Sequence, residues 1–146
     1  MADPGSQQKK TLAEKIDRLF RTIHPQGRGE YTFEEVAEAI RASGGPTISA
    51  TYVWQLRKGL RDNPTKKHVE ALAEFFGVAP AYFFDDDAAV RIDAELDLLG
   101  ALRDSSVRQI ALRAFGLSPE SLNTIADMVE RVRQLEGLPN EGVGKR

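Results

Sequence analysis

Residues 47–59, Thr-Ile-Ser-Ala-Thr-Tyr-Val-Trp-Gln-Leu-Arg-Lys-Gly, carry the side chains best suited to recognition chemistry. Ser49 is a helix-capping residue, Ile48, Val53 and Leu56 share one helical face, and Gly59 is a helix stop. That arrangement leaves Ala50, Thr51, Tyr52 and Gln55 pointing away from the apolar face. Gln donates to and accepts from one adenine edge, and Thr offers a hydroxyl or a methyl to thymine. Thr51 and Gln55 are four apart and so lie on the same side of the helix. The expected base-reading set is therefore Ala50, Thr51, Tyr52 and Gln55. The expected phosphate-binding set is Thr32, Ser49, Lys58, Arg61, Lys66 and Lys67. Trp54 lies off the Val53–Leu56 face. Its readings are packing over the loop after Gly59, which is the expected one, contact with a DNA sugar, or contact with a partner protein.

Other chemistries find less support. The chain has two histidines, His24 and His68, and no cysteine. No serine elbow, glycine-rich phosphate loop or zinc pattern accompanies either histidine, so no enzyme, no metal site and no cofactor are expected. Asp85-Asp86-Asp87 lacks the alternating ligands and glycine of a calcium loop. Acids there complement the dipole at the start of a helix. Arg91-Ile92-Asp93 and Arg103-Asp104 loosely resemble an Arg-x-Asp pattern for a signalling dinucleotide. Pairing with each other or with water is the expected role, and no small-molecule effector is expected.

The elements that must position the first set are legible around it. Thr11-Leu12-Ala13-Glu14 and Thr32-Phe33-Glu34-Glu35 are capping boxes that start helices. Leu12, Ile16, Leu19, Phe20 and Ile23 form the stripe of the first helix, and Val36, Ala37 and Ile40 that of the second. Ser43-Gly44-Gly45-Pro46 supplies a turn before the helix at 49–58. Lys66 and Lys67 fall in the first turn of a further helix that buries Val69, Leu72, Ala73, Phe75 and Phe76. Pro80-Ala81-Tyr82-Phe83-Phe84 reads as a short lid. Helix, glycine-bearing turn and helix follow in the order of a helix-turn-helix.

Residues 11–84 resemble the Cro/C1 (XRE) class of helix-turn-helix domains. The run Tyr52-Val53-x-Gln55-Leu56-x-x-Gly59, then Pro64, then Leu72-Ala73 with Phe76 and Val78, matches it in order and spacing. Over roughly residues 11–137 the chain is similar to the EspR-like actinobacterial regulators, a nucleoid-associated group. The shared features include Arg18-Leu19-Phe20, His24-Pro25-x-Gly27-Arg28-Gly29, Gln55-Leu56-Arg57-x-Gly59-x-Arg61-x-Asn63-Pro64 and Ala81-Tyr82-Phe83-x-Asp85-Asp86. The resemblance implies DNA binding by the first part and dimerisation by the last. Two departures from the commonest class pattern are the longer turn from Arg41 to Thr47 and Arg57, where many members carry an acid.

Charge divides along the same lines. The formal net charge is −2. Residues 1–68 hold twelve Lys and Arg against eight Asp and Glu, and residues 69–146 hold eight against fourteen. Screening confines each field to about 10 Å at 0.1 M salt, so a basic patch over 49–68 attracts phosphate despite an acidic second half. At 41% hydrophobic the chain can bury a core, and no apolar run reaches membrane-spanning length. Met1 to Ser6 lack the apolar core of a signal peptide, and a cytoplasmic location at the nucleoid is expected.

Three helices are expected after the lid. The first, about 87–103, buries Ile92, Leu96, Leu99 and Leu102. The second, about 106–115, starts at Ser106 and buries Val107, Ile110, Ala111 and Phe115. The third starts at Ser118-Pro119-Glu120 and carries a seam of Leu122, Ile125, Val129, Val132 and Leu135 up to Gly137. About fifty residues are too few to bury much core alone, which favours pairing of two copies through Leu122, Ile125, Val129 and Val132. The fold class is thus all-α, an N-terminal Cro/C1-type helix-turn-helix domain followed by a C-terminal helical dimerisation domain. The expected organisation is a flexible arm at 1–10, a DNA-binding domain at 11–84, a dimerisation domain at 87–137 and a flexible tail at 138–146. The expected function is a transcriptional regulator that binds double-stranded DNA as a homodimer, or a higher oligomer on DNA, with no membrane partner. The alternatives are an architectural nucleoid protein of low sequence specificity and an adaptor that uses the same fold for protein contacts.

Overall fold

Short polar side chains start most of the helices. The computed structural model describes residues 10–139, and among these the secondary structure is entirely helical. The helices are α1 (Leu12–Thr22), α2 (Phe33–Ala42), α3 (Ala50–Lys58), α4 (Lys66–Phe76), α5 (Ala81–Phe84), α6 (Asp86–Ala101), α7 (Ser105–Ala114) and α8 (Pro119–Leu135). Thr11 and Thr32 form the two expected capping boxes. Ser49, Thr65 and Ser118 cap α3, α4 and α8 through their hydroxyls. Gly59 ends α3 in the left-handed conformation at φ 77°, which costs a residue without Cβ nothing. Between α2 and α3, Gly44 has φ 82°, and a Cβ on Gly45 would meet Ile40 at 3.0 Å. A side chain at Gly44 would be strained, and one at Gly45 would require Ile40 to give way. The expected N-terminal arm up to residue 9 and the tail from residue 140 lie outside the described residues.

The chain divides into two units, residues 1–100 and 101–146. The first encloses a continuous core. Ile16, Leu19 and Phe20 of α1, Val36 and Ile40 of α2, Val53 and Leu56 of α3, and Leu72 and Phe76 of α4 are all buried, with Ile48 from the turn. The ring of Phe20 lies 5.3 Å from Phe33 and 5.0 Å from Phe76, centroid to centroid, so three helices meet at one aromatic cluster. Each such side chain contributes about 1.5–3 kcal/mol on burial.

Helix α6 also belongs to this unit. Ala88, Ala89 and Leu96 are buried, and Ile92 packs against the core. Asp93 gathers the polar contacts. It accepts the hydroxyl of buried Tyr82 at 2.8 Å, pairs with Lys10 Nζ at 2.9 Å and with Arg18 Nε at 3.3 Å. Arg18 also donates to the Asp93 carbonyl at 3.1 Å and pairs with Asp97. Burial, then the bond to Asp93, holds the Tyr82 hydroxyl well above the usual tyrosine range, so it stays a donor. The compact unit thus runs past residue 87, where the sequence reading places the start of a second domain, because α6 satisfies its polar and apolar groups on α1 and Tyr82. Asp93 is committed to this strap. Asp85 accepts from the amides of Asp87 at 2.9 Å and Ala88 at 3.3 Å, so it caps α6.

The second unit corrects part of the sequence reading. Helix α7 is capped by Asp104, whose carboxylate accepts from Ser106 N at 2.8 Å and Val107 N at 3.2 Å, and not by Ser106. The apolar residues expected to be buried there are exposed: Val107, Ile110, Ala111 and Phe115, the last at 89%. In this unit two helices present too little surface to each other to enclose a core, so periodicity alone does not bury its apolar residues. Leu99, near the end of α6 in the first unit, is exposed as well.

One arginine joins the elements that present α3. The Arg57 guanidinium donates to Asp17 at 2.9 Å and to Glu30 at 2.8 Å, and lies 4.7 Å from the Phe20 ring centroid and 5.8 Å from that of Phe33. Its side chain is 14% exposed. Replacing Arg57 by Met keeps the stem but removes these charge-assisted bonds. A loss of about 1–3 kcal/mol is expected, lowering the melting temperature by roughly 5–20 °C. Arg57→Lys should recover only part of it, since an ammonium neither forks nor stacks as a guanidinium does. Equal melting temperatures for wild type and Arg57→Met would show that the latch is not stabilising.

Candidate nucleic-acid interface

Successive residues of a helix turn by about 100°, which divides α3 cleanly. Val53 and Leu56 are fully buried, and Arg57 faces α1. The opposite side forms an arc in the order Tyr52, Gln55, Thr51, Lys58, Trp54, Ala50. Thr51, Lys58 and Trp54 are exposed, and Ala50, Tyr52 and Gln55 are half-buried.

The two borders of the arc differ. On the α4 side, Tyr52 meets His68 edge-on at 5.2 Å, and the Arg61 guanidinium lies 5.9 Å from the Tyr52 ring centroid. Arg61 Nε donates to Gln55 Oε1 at 3.2 Å. Tyr52 is thus a partly packed support that holds Arg61 beside Gln55. The Gln55 amide nitrogen keeps its two donors, and its oxygen retains a second lone pair. On the α2 side, Ala50, Thr51 and Trp54 line an open cleft with Phe33 and Glu34. Trp54 therefore borders α2, whereas the sequence reading favoured the loop after Gly59.

The expected phosphate ligands lie on neighbouring elements. Thr32 Oγ1 accepts from Glu35 N at 3.0 Å, and Ser49 Oγ accepts from Tyr52 N at 3.0 Å. Each hydroxyl keeps its proton to donate, at a helix N-terminus that favours anions. Lys58, Arg61, Lys66 and Lys67 are exposed. Lys66 lies 3.8 Å from Glu70, an exposed pair worth little. Lys67 lines a separate cleft with the turn Ser43–Pro46 and Glu74.

Thr32 is itself held in place. Glu35 accepts from Thr32 N at 2.9 Å and from Arg28 Nη1 at 2.8 Å, and Arg28 also donates to the Glu30 carbonyl at 3.3 Å. The Arg28 guanidinium first, then the Thr32 amide, hold the Glu35 carboxyl down at about 2. The loop Gly27–Tyr31 is thereby pinned to the start of α2. Neither this pair nor that of Arg57 with Asp17 and Glu30 follows from the sequence pattern, and the unusual basic residue at 57 is the one signal of it there. Among the described residues, no group of three His, Cys, Asp or Glu side chains could hold a metal ion. Among the same residues, no helix is long and apolar enough to cross a membrane.

Fold and site define an all-helical protein whose first unit presents one polar helix face bordered by basic side chains. Comparison with known proteins narrows the class. No family model matches the chain. It is 43% identical over 128 residues to the nucleoid-associated protein EspR of Mycobacterium tuberculosis, in strains CDC 1551 and H37Rv alike. The aligned region covers 88% of this chain and 96% of each relative. The chain belongs to the EspR family.

The Glu35 carboxyl provides a pH test of this local order. Its value in the fold lies below the usual 4.5, so its stabilisation is complete above about 4.5 and lost as pH falls toward about 2. Glu35→Gln should melt below wild type at pH 7, and the two curves should converge near pH 2. Thermal melts across that range check this. A gap independent of pH would show that the Arg28–Glu35 charge pair is not its source.

Proposed function

We propose that the chain is a DNA-binding transcriptional regulator. Its helix α3 enters the major groove as the recognition helix of a Cro/C1-type helix-turn-helix formed with α2 and the intervening turn. Ala50, Thr51, Tyr52 and Gln55 read base edges, with Gln55 and Thr51 making the specific bonds and Tyr52 acting mostly through Arg61. Thr32, Ser49, Lys58, Arg61, Lys66 and Lys67 bind phosphates. The observation that carries this reading is the free polar arc of α3, set between hydroxyl-capped helix N-termini and four exposed cations. The relatives are named as nucleoid-associated, which agrees with such an interface and with a cytoplasmic location at the nucleoid.

The chain acts as a homodimer joined by residues of α8. In support, Leu122, Val129 and Val132 are 40–52% exposed and Ile125 is half-buried, at the spacing of one helical seam. Leu135 at 82% and Met128 at 63% extend the same apolar surface. A second copy that covers this seam gives a two-fold assembly with two recognition helices. An architectural role, bridging distant sites with little sequence preference, is the second reading. The nucleoid-associated name of the relatives favours it.

Two variants separate base reading from phosphate binding. Gln55→Ala should lower affinity for the best site about tenfold or more, with non-specific affinity at the same salt nearly constant. Lys67→Ala should weaken both and reduce the slope of log K against log salt by about one. Competition between matched and scrambled duplexes reads both. If Gln55→Ala lowers both affinities together, Gln55 does not read bases and the architectural reading gains.

The seam makes a separate prediction. Val129→Asp with Val132→Asp should give a monomer by light scattering, with the first unit still folded on its own core. DNA affinity should drop through lost bivalency. A wild-type protein already monomeric at micromolar concentration would exclude this dimer.

A further inference from the structure

Trp54 is a large apolar side chain left 39% exposed on the polar arc of α3. Helical spacing sets it one turn from Ala50, Thr51 and Lys58, on the side facing α2. It does not close the core, since Val53 and Leu56 do that beside it. With Phe33, Glu34, Ala50 and Thr51 it lines an open cleft of about 250 Å³ at the N-terminal ends of α2 and α3. The cleft is apolar on the Trp54, Phe33 and Ala50 sides and carries one acid. Among the described residues, no hydrogen bond or ion pair engages the Glu34 carboxylate.

That acid decides what the cleft can receive. Within the cleft, which Thr32 and Ser49 do not line, that carboxylate repels phosphate, so the sugar–phosphate backbone is a poor occupant of it. A base edge carries no charge. The one apolar group that B-DNA displays in the major groove is the C5-methyl of thymine. The indole beside Ala50 and Phe33 gives it an apolar seat. The Thr51 hydroxyl is close enough in sequence and facing to address the same base pair. Resting on the DNA-binding reading above, we propose that Trp54 is a specificity-determining residue that selects thymine by its methyl group. It extends base reading from Gln55 toward the α2 side of the helix.

The test uses the full-length protein and a preferred duplex selected from a random library. Each thymine is replaced in turn by uracil, which removes the methyl and keeps every hydrogen-bonding group. For wild type, one position in each half-site should lose about fourfold in affinity, the worth of burying one methyl-sized group. Trp54→Ala should bind the thymine duplex about that much more weakly and no longer distinguish uracil from thymine at that position. Trp54→Phe should retain part of the discrimination. Affinity for scrambled DNA and its salt slope should be unchanged, and melting temperature nearly so, because the side chain lies outside the core. Wild-type indifference to uracil at every position would overturn the proposal, as would a Trp54→Ala variant that keeps full discrimination. Salt-dependent binding with no methyl sensitivity refutes this inference and leaves the DNA-binding reading intact. Absence of salt-dependent binding refutes both.

Discussion

The Arg57 guanidinium lies where α1, α3 and the loop before α2 converge. Its bonds to Asp17 and Glu30 and its position over Phe20 and Phe33 join three segments that are distant in sequence. Burial disfavours the charged form, but the hydrogen bonds to Glu30 and Asp17 outweigh it, and Arg57 stays charged. The two acids are 39% exposed, so water shares their solvation and the pair avoids the full cost of a dry ion pair. The outcome is geometric. With Arg57 anchored on one side of α3, the opposite side faces solvent as a defined arc.

A second set of constraints shapes the edges of that arc. Arg28 and Glu35 tie the Gly27–Tyr31 loop to the first turn of α2, which places Thr32 and Glu34. On the other side, His68 supports Tyr52, Tyr52 supports Arg61, and Arg61 reaches Gln55. Each border of the arc is thus held by contacts to side chains of a neighbouring element. A recognition surface benefits from this, because ordering long side chains before binding reduces the entropy lost on contact. The acidic α2 side and the basic α4 side also give the arc an electrostatic polarity.

The two units solve burial differently. The first has enough helices to enclose Phe20, Tyr82 and Leu72 almost completely. It recruits α6 through Asp93, a residue whose three partners come from α1, its leading residue Lys10 and α5. Among the described residues the second unit has two helices, and it leaves Phe115, Ile110 and most of the α8 seam exposed. Large apolar groups exposed on a short helical pair are costly in water.

Much of the helical architecture was legible from local chemistry. Thr11, Thr32 and Ser49 satisfy orphan amides in the first turn of their helices, and Gly59 adopts a left-handed conformation costly for other residues. Such signals act over three or four residues and so can be read in order along the chain. The buried stripe of α1, the Val53–Leu56 face of α3 and the outward direction of Thr51 follow from helical period alone. What the period could not decide was which apolar faces find a cover. Leu96 and Val107 look alike in sequence, yet one is buried and the other exposed, because only α6 has a neighbour that accepts it. Nor could it place Trp54 against α2, pair Arg57 with Asp17 and Glu30, or commit Asp93 to Tyr82 and Arg18. Those depend on side chains brought together from as far as 75 residues apart, and only chain folding sets such distances.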